Sequence, residues 1–421
     1  MGTEVEHGTR YSINGHIVGP DDPRFQDLLA NCYNGSTRPR CLCAPGGVDM
    51  YVARFKSFVV KRMPGTGEQH HPTCPSYEPA SGESGLGELL GEAIFERTPE
   101  LIEVRLDFPL TRRLGRPFSP GAPSEKTEVS AARRKLGLRG LLHLLWERAG
   151  FNRWYPKMEG KRYWGVVRKH LMAAAQEIQT KGARLAERVF IPEPFRLENA
   201  TAIARRRAAD LSVLLSPSED VQFKMMVIIG ELKEFSDTAL GSKIILKHMS
   251  DCPLYLETKT AVRFRKVFCY EYETWLQEKD LSQEKLPRFR FILGGLIYAK
   301  RENLYYLDTA TLMMTGENWI PLDYTYEQTL MSVMQEQRRR FIKPLRYESK
   351  GGAVFPNFVL LDAGDAPVSL DIVSAFMADK DRAVKESVVR ERIQPAWVWK
   401  TADTPEPPGL PAARFVDYPK L

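Results

Sequence analysis

Long apolar runs are missing from this chain. No stretch of about 18 consecutive apolar residues occurs, so the sequence predicts no transmembrane helix. Its first residues, Met-Gly-Thr-Glu-Val-Glu-His, have neither the basic start nor the apolar stretch of a secretory signal. Cysteine is scarce, with six in 421 residues, and Cys32, Cys252 and Cys269 show no disulfide-framework spacing. Together these absences predict a cytoplasmic protein with reduced thiols.

Three widespread sequence patterns are also absent. The chain contains no G-x-S-x-G, no G-x-x-x-x-G-K-[ST] and no G-x-G-x-x-G preceding a helix. These patterns mark a serine nucleophile on a sharp turn, a phosphate loop and a dinucleotide site, respectively. Any chemistry must therefore come from other residues.

Basic residues are in excess and unevenly placed. The formal net charge is +7, and three tight basic triplets occur, Arg133-Arg134-Lys135, Arg205-Arg206-Arg207 and Arg338-Arg339-Arg340. Such triplets are expected of a protein that binds a polyanion, DNA or RNA. They also occur on solvated helix faces and at helix C-termini. The sequence thus predicts a nucleic acid partner, with DNA favoured, and no membrane partner.

A cluster of potential metal ligands lies near the N-terminus. Cys41 and Cys43 are followed by His70, His71 and Cys74. Three thiols and one imidazole can surround one tetrahedral Zn²⁺, so the sequence predicts a zinc site made of the three cysteines and either histidine. The alternating segment 50–62 predicts a strand between the two ligand pairs, as in a zinc ribbon. A site with four protein ligands is closed and stabilises a small fold without catalysing a reaction.

The patterns predict an α+β multidomain protein. The expected order is a zinc-ribbon-like module, a central helical bundle, a β-rich region and a C-terminal αββα unit. Short strands are expected over 1–80 and strands again from 210, with a hairpin at 211–229 and a strand at 263–272. Between these regions, one helix face is shared by Leu138, Leu141, Leu142, Leu145 and Trp146. The predicted boundaries are 1–80, 88–209, 210–320, 321–400 and a Pro-rich tail over 401–421.

The C-terminal unit resembles the restriction-endonuclease-like, or PD-(D/E)XK, nuclease core. Carried over by position, Glu327 is the helix carboxylate, Asn357 occupies the Asp position, Asp371 is the second acid and Lys385 is a migrated lysine. That chemistry needs carboxylates to hold Mg²⁺ and a lysine to orient or deprotonate water. Asn357 brings no negative charge, and Val373 stands where the motif has its lysine. The unit is therefore predicted to be a degenerate or an active nuclease, and an ordinary αββα unit is the alternative.

A second set of ionisable residues competes for the same role. Glu231 and Lys233 end an apolar strand in an E-x-K pattern, and Asp210 stands at the start of the preceding predicted strand. A turn near 218–219 would place Asp210 opposite Glu231, with Lys233 on the same face. The same residues also fit a cross-strand salt bridge.

The whole chain resembles a bacterial family, the domain of unknown function numbered eleven seventy-three. The residues that carry the resemblance are Cys41-x-Cys43, Lys61-Arg-Met-Pro-Gly-Thr-Gly-Glu-Gln-His70-His-x-x-Cys74-x-Ser-Tyr-Glu-Pro79, Leu145-Trp-Glu-x-Ala-Gly150, Gly230-Glu-x-Lys-Glu-Phe235, Lys247-His248, Trp319-Ile-Pro321 and Phe341-Ile-Lys-Pro-Leu-Arg-Tyr347. The resemblance implies mobile DNA, on integrative and conjugative elements, as the genomic setting. It implies no activity.

Two functions of different class follow from these observations. The first is a zinc-containing DNA-associated protein of mobile elements with a nuclease-like domain. The second is a non-enzymatic scaffold whose zinc module and sheets bind other proteins. Binding to DNA that weakens steeply with salt would favour the first.

Overall fold

A computed structural model describes residues 9–54, 57–98, 101–113, 134–215, 222–281, 288–347, 354–392 and 397–414. Within these ranges the chain is a mixed α+β protein. The helices are α1 Phe25–Asn34, α2 Leu138–Arg148, α3 Trp164–Glu177, α4 Ala200–Leu211, α5 Thr258–Val267, α6 Cys269–Leu281, α7 Tyr326–Glu336 and α8 Asp379–Glu391. The strands are β1 Tyr11–Ile13, β2 His16–Val18, β3 Arg40–Cys41, β4 Val48–Arg54, β5 Phe58–Arg62, β6 Ile94–Thr98, β7 Leu101–Val104, β8 Thr111–Arg113, β9 Arg153–Trp154, β10 Ile178–Thr180, β11 Ala183–Arg184, β12 Val189–Phe190, β13 Gln222–Lys224, β14 Met226–Thr238, β15 Gly241–Leu246, β16 Leu254–Glu257, β17 Phe289–Arg301, β18 Leu304–Gly316, β19 Pro321–Leu322, β20 Phe341–Ile342, β21 Phe358–Leu360, β22 Val368–Val373 and β23 Trp397–Lys400.

The N-terminal sheet has the strand order β2-β1-β3-β4-β5 and is antiparallel. The single strand predicted over 50–62 is wrong, because β4 and β5 form a hairpin in which Met50 pairs with Arg62. Two strands of one hairpin can continue the same alternation, so the turn leaves no break in the pattern. The hairpin returns the chain toward its start and thus brings the two ligand pairs together.

The long strands β14, β17 and β18 form the centre of a seven-stranded sheet. Both faces of this sheet are covered, so its residues are apolar without alternation and nearly all of β17 is buried. Helix α2 packs on one face, where Leu142 lies close to Gly294, and its predicted apolar face is buried. Helices α5 and α6 contact the sheet as well.

Two predicted strands in this part of the chain are wrong. Residues 211–215 end α4 and continue as a short helical turn, and residues 263–272 belong to α5 and α6. A short apolar run does not distinguish a strand from the buried face of a helix. The region predicted as β-rich therefore also contains two helices.

The C-terminal sheet has the strand order β23-β22-β21-β20-β9. Strands β20, β21 and β22 are antiparallel neighbours, and β22 and β23 are parallel. The order helix, strand, strand, helix is present as α7, β21, β22 and α8, with β20 and β23 as additional strands.

The hydrophobic cores extend across the predicted domain boundaries. The core around α2 includes Leu141, Ile229, Ile292 and Leu345. The N-terminal core includes Cys41 together with Val359 and Leu361 of the C-terminal sheet. Predicted segments that are distant in sequence therefore share apolar packing. None of the helices in the described ranges has the length and apolar character that a membrane span requires.

Candidate metal centre and basic cleft

Cys41, Cys43, His70 and Cys74 converge on one point of the N-terminal region. All four are buried, and their ligand atoms lie within 4.8 Å of one another. The Sγ atoms of Cys41 and Cys74 are 3.7 Å apart, and Nδ1 of His70 is 3.2 Å from Sγ of Cys43 and 3.8 Å from Sγ of Cys74. A tetrahedral ion with bonds of roughly 2.0–2.3 Å separates its ligands by about 3.3–3.8 Å. The group could therefore hold a metal ion.

Two loops supply these ligands. Cys41 ends β3, and the turn that carries Cys43 returns the chain into β4 through Gly46 and Gly47, which have φ angles of 77° and 70°. A side chain at either glycine would be strained by this left-handed conformation. His70 and Cys74 lie in the loop after β5, where the Ser76 amide donates a hydrogen bond to Sγ of Cys74 at 3.4 Å.

The three thiols interact through hydrogen bonds that move their pKa values apart. The hydrogen bond between Cys41 and Cys43 raises the pKa of Cys41 to about 12 and holds the pKa of Cys43 well below the usual thiol range. Hydrogen bonding to Cys41 raises the pKa of Cys74. A single thiolate thus forms most readily at Cys43, and a bound cation would favour deprotonation of the other two.

The histidine in this group is His70. Its side chain is only 2% exposed, and its Nδ1 faces the thiols. His71 has a different environment, because its Nδ1 lies 2.8 Å from Oγ1 of Thr73 and accepts a hydrogen bond from the Thr73 amide at 3.3 Å. Of the two histidines left open by the sequence, the structure therefore places His70 in the group and His71 outside it.

Glu327 and Asn357 also come together, but around a lysine that the sequence analysis did not identify. Oε1 of Glu327 lies 2.8 Å from Nζ of Lys343 and accepts a hydrogen bond from Nδ2 of Asn357 at 2.7 Å. Its Oε2 accepts a hydrogen bond from the Asp323 amide at 2.7 Å. Lys343 lies in the segment Phe341–Tyr347 that carries the family resemblance, and a charged residue in so apolar a segment was the available signal.

Asp371 and Lys385 form a second buried pair nearby. Nζ of Lys385 is 2.6 Å from Oδ1 of Asp371 and donates to the Phe355 carbonyl at 2.6 Å, while Arg392 contacts the other carboxylate oxygen. Oδ1 of Asn357 accepts a hydrogen bond from the Ile372 amide at 2.9 Å. Asn357 therefore connects the Glu327–Lys343 pair to the strand that carries Asp371. Burial lowers the pKa of Lys385, and the charge of Asp371 opposes this effect.

The carboxylates of this unit are already engaged by cations of the chain. Glu327 and Asp371 have side chains with no exposed surface. Among the described residues, one group of His, Cys, Asp or Glu side chains has ligand atoms close enough to share a metal ion. It consists of Cys41, Cys43, His70 and Cys74. The predicted Mg²⁺ site therefore has no support in the arrangement of Glu327 and Asp371.

The predicted pairing of Asp210 with Glu231 is wrong. Asp210 lies on α4, whereas the neighbours of Glu231 are Nζ of Lys247 at 2.5 Å and Nη1 of Arg290 at 3.3 Å. Lys233 donates instead to Oγ of Ser250 at 3.1 Å. The register between β14 and β15 shifts between Leu232 and Glu234, and this bulge interrupts the alternation that would place Lys233 beside Glu231.

The basic triplets are mostly engaged by acidic residues of the chain. Arg206 pairs with Glu193 at 2.8 Å, Arg207 with Asp251 at 2.6 Å, and Arg339 with Asp362 at 2.9 Å. Arg134 contacts Glu88 at 2.8 Å, and Arg133 lies outside the described residues. These triplets therefore present less free positive charge than the sequence suggests.

A cleft of about 500 Å³ lies between the loop after β5 and helices α2 and α3. Seven lysine and arginine side chains line it, against four glutamates, so its net charge is positive. Three aromatic side chains, Tyr51, Phe151 and Tyr155, are also part of the wall. The basic residues are Lys61, Arg62, Arg148, Arg153, Lys157, Lys161 and Arg162, and the glutamates are Glu78, Glu96, Glu147 and Glu177.

The cations of the cleft fall into two groups. Four of them pair with glutamates of the wall. These pairs are Lys61 with Glu177, Arg62 and Arg153 with Glu78, and Arg148 with Glu96. Lys157, Lys161 and Arg162 form no ion pair with any described carboxylate. The sequence analysis missed this cleft, since its cations come from separate segments.

Arg162 is held by uncharged groups. Its guanidinium donates to the carbonyls of Asn318 at 3.1 Å and Gly150 at 3.2 Å and lies 5.2 Å from the centre of the Phe151 ring. Burial lowers the pKa of Arg162 to about 10, so it stays positively charged at neutral pH. A fixed cation without a counter-charge favours an anionic ligand.

No curated protein and no solved structure gave a significant match to the chain. The family model described as "Protein of unknown function (DUF1173)" matches residues 11–402. This range includes the candidate metal site, the basic cleft and both buried carboxylate pairs. The protein therefore belongs to the DUF1173 family.

Proposed function

We propose that this protein binds DNA in the basic cleft, that a structural zinc ion holds one wall of the cleft, and that the C-terminal unit is a nuclease-like fold without hydrolytic activity. The observation that carries the proposal is the set of three cations without a carboxylate partner among the described residues. Lys157 and Lys161 are exposed, and Arg162 is fixed between carbonyls and an aromatic ring. Phosphate groups would supply the missing negative charge.

Zinc is the metal that best suits the ligand set. Three thiolates and one imidazole are soft or borderline ligands, and a closed set of four is typical of structural zinc sites. The next residues after Cys74 are Pro75 and Ser76, which line the cleft. A zinc ion would therefore fix the loop that forms this wall, and it would take no part in catalysis.

Loss of hydrolysis follows from the way the carboxylates are used. Asn357 leaves the C-terminal cluster without one negative charge, and Lys343 and Lys385 neutralise Glu327 and Asp371 inside the protein. A Mg²⁺ ion would have to displace these lysines from buried positions. We therefore assign a binding role on mobile DNA of bacterial integrative and conjugative elements, as the family resemblance suggests.

The test is the salt dependence of DNA binding. Fluorescence anisotropy with a labelled DNA should give measurable affinity in 50 mM salt and a decrease of at least about tenfold in 200 mM salt, because released counterions weaken phosphate contacts. The double variant Lys157→Glu/Lys161→Glu should bind more weakly and show a shallower salt dependence, by about one phosphate contact for each lysine.

A matched control keeps the change in net charge the same. Lys259 and Lys380 are exposed and lie on α5 and α8, outside the cleft. The variant Lys259→Glu/Lys380→Glu should retain most of the affinity. Equal losses in both double variants would mean that net charge alone, and not the cleft, determines binding.

A non-enzymatic protein interaction scaffold is the second candidate. Leu197, Leu240 and Phe376 are 82%, 87% and 93% exposed, and large apolar side chains at the surface favour protein contacts. This function would also use a structural zinc site. The absence of measurable DNA binding in 50 mM salt would favour it over the first.

A further inference from the structure

The shape of the basic cleft limits which form of DNA can enter it. A volume of about 500 Å³ lies within the range of roughly 300–1,000 Å³ that is usual for pockets enclosing a single small ligand. A rigid duplex presents only its outer phosphates to a concavity of this size. An unpaired nucleotide can turn its base inward, because a single strand is flexible and its base faces are accessible.

The wall of the cleft also offers surfaces for a base. Tyr51, Phe151 and Tyr155 line it, and the Arg162 guanidinium lies over the Phe151 ring. Aromatic rings and arginine planes are the side chains on which unpaired bases stack without sequence preference. Phe151 and Tyr155 are 3% and 5% exposed, so the ring with accessible surface in the cleft is that of the half-buried Tyr51.

Tyr155 provides an independent observation. Its side chain is only 5% exposed, and its hydroxyl lies beside the Arg153 guanidinium without a well-aligned hydrogen bond to any described residue. Burial raises the pKa of this phenol, so it remains protonated at neutral pH and can donate a hydrogen bond. A buried hydroxyl without a well-aligned hydrogen bond is unfavourable, and here it lies in the wall of a cleft that a ligand can fill.

The segment 155–162 brings these groups together over a short distance in sequence. It carries Tyr155, Lys157, Lys161 and Arg162, all of which line the cleft. Glu159 lies in the same segment but does not line the cleft, and its carboxylate is 3.9 Å from Nη1 of Arg338. Besides Met158, the segment therefore offers the cleft only cations and a phenol.

We propose that the cleft binds one or two unpaired nucleotides of single-stranded DNA, with phosphates at Lys157, Lys161 and Arg162, a base against the Tyr51 ring and a hydrogen bond from the Tyr155 hydroxyl. This inference rests on the proposed function and specifies its substrate. The ligand is a single strand, a gap or a melted segment, and intact duplex binds only through weaker contacts with the phosphate backbone.

Two variants test the tyrosines of the cleft without changing a residue of the hydrophobic cores described above. Tyr51→Thr keeps a side chain suited to strand β4 and removes the ring, and Tyr155→Phe removes only the hydroxyl. The exposed Tyr163 does not line the cleft, so Tyr163→Thr is the matched control. Circular dichroism and metal content of each variant should match the parent protein, which separates loss of binding from loss of folding.

The experiment measures anisotropy of labelled dT12, of a 12-base-pair duplex and of rU12 with the full-length protein in 50 mM salt. We expect dT12 to bind at least about tenfold more tightly than the duplex, which is within the range of one stacked base. Tyr51→Thr should weaken dT12 binding about five- to tenfold, Tyr155→Phe should weaken it several-fold, and both should leave duplex binding nearly unchanged.

The outcomes distinguish this inference from the function on which it rests. If neither dT12 nor the duplex binds, the proposed DNA binding itself fails. If the duplex binds as tightly as dT12, or if both tyrosine variants match Tyr163→Thr, DNA binding stands and the single-strand inference is overturned. Tighter binding of rU12 than of dT12 would overturn the assignment to DNA.

Discussion

Nζ of Lys343 lies 2.8 Å from Oε1 of Glu327, and the two side chains are 3% and 0% exposed. Lys343 also contacts Oδ2 of Asp323 at 2.7 Å, and Arg346 reaches the same oxygen at 3.0 Å. Burial alone would lower the pKa of Lys343, but the charges of Asp323 and Glu327 outweigh it and raise the pKa. These four charged groups connect helix α7 to the segment after β20.

Removal of the lysine from this network should be strongly destabilising. In Lys343→Met, Glu327 would keep a buried charge with only neutral hydrogen-bond donors. The free energy of unfolding should fall by about 3–5 kcal/mol, as measured by urea denaturation. As a control, Arg97→Ala removes a pair that is 52% and 37% exposed, and its effect should stay below about 1 kcal/mol. A Lys343→Met protein as stable as the control would show that the buried charges are not interdependent.

The two adjacent histidines should differ in their effect on metal content. The purified protein should contain roughly one zinc ion per chain, and His70→Ala should lose most of it because Nδ1 of His70 faces the thiols. His71→Ala should retain the metal. Elemental analysis after gel filtration measures both, with Cys269→Ser, which changes an exposed thiol outside the group, as a further control. Retention of zinc in His70→Ala and its loss in His71→Ala would reverse the assignment.

Glu147 should make stability depend on pH near neutrality. Burial, with a smaller contribution from the charge of Glu78, raises its pKa to about 7 in the folded protein, against roughly 4.3 in an unfolded chain. Between these values the folded state binds more protons than the unfolded state, so the contribution of Glu147 to stability is complete below about pH 4.3 and is lost as the pH rises toward 7. This contribution to the free energy of unfolding amounts to about 4 kcal/mol.

The variant Glu147→Gln isolates the contribution of this carboxyl to the pH dependence of stability. It keeps a hydrogen-bond acceptor for the Tyr347 hydroxyl, which lies 2.6 Å from Oε2 of Glu147, but cannot ionise. Urea denaturation at pH 5, 6, 7 and 8 should show a smaller decrease in stability for this variant than for the parent protein. Glu159→Gln, at a side chain that is 74% exposed, should follow the parent curve. Parallel curves for the parent and Glu147→Gln would contradict the raised pKa.

The convergence of Cys41, Cys43, His70 and Cys74 on a candidate metal site could be predicted because its chemistry is local. Cys41 and Cys43 are almost adjacent, as are His70 and Cys74, and few residue types bind a soft metal ion. Only the choice between His70 and His71 needed coordinates, since neighbouring side chains point in different directions. The mixed α+β class and helix α2 were predictable for a similar reason, because the spacing of leucines along one helix face is a local signal.

The charge partners could not be predicted in this way. Glu231 was expected to face Asp210, yet residues 211–215 are helical, and the cation beside Glu231 is Lys247 at the end of a neighbouring strand. Lys233 satisfies the period-two rule in sequence, but the bulge at this position breaks it. Pairing between distant segments depends on register and on tertiary packing, which periodicity in a single sequence does not specify.

Divalent metal ions should not produce a nuclease. Supercoiled plasmid should be incubated with the protein and Mg²⁺ or Mn²⁺ at roughly 5–10 mM, a concentration that saturates weak divalent sites. We expect no cleavage above a control without the protein. The reason is that Lys385 and Arg392 already occupy the oxygens of Asp371. Cleavage that is present in the parent protein and lost in Asp371→Asn would contradict the assignment of a degenerate unit. Cleavage that persists in Asp371→Asn would indicate a contaminating nuclease.

Metal binding and DNA binding should be coupled through the loop after Cys74. Nη1 of Arg153, in the wall of the cleft, donates to the carbonyls of Pro75 at 3.1 Å and Tyr77 at 2.5 Å. Removal of zinc with a chelator such as TPEN should release this loop and weaken DNA binding. The loss of affinity should be about as large as in the variant Lys157→Glu/Lys161→Glu. Added zinc should restore the affinity of the parent protein but not of Cys74→Ser, which lacks a ligand. Full DNA affinity in a zinc-free, folded protein would show that the cleft forms without the metal and that the two features act independently.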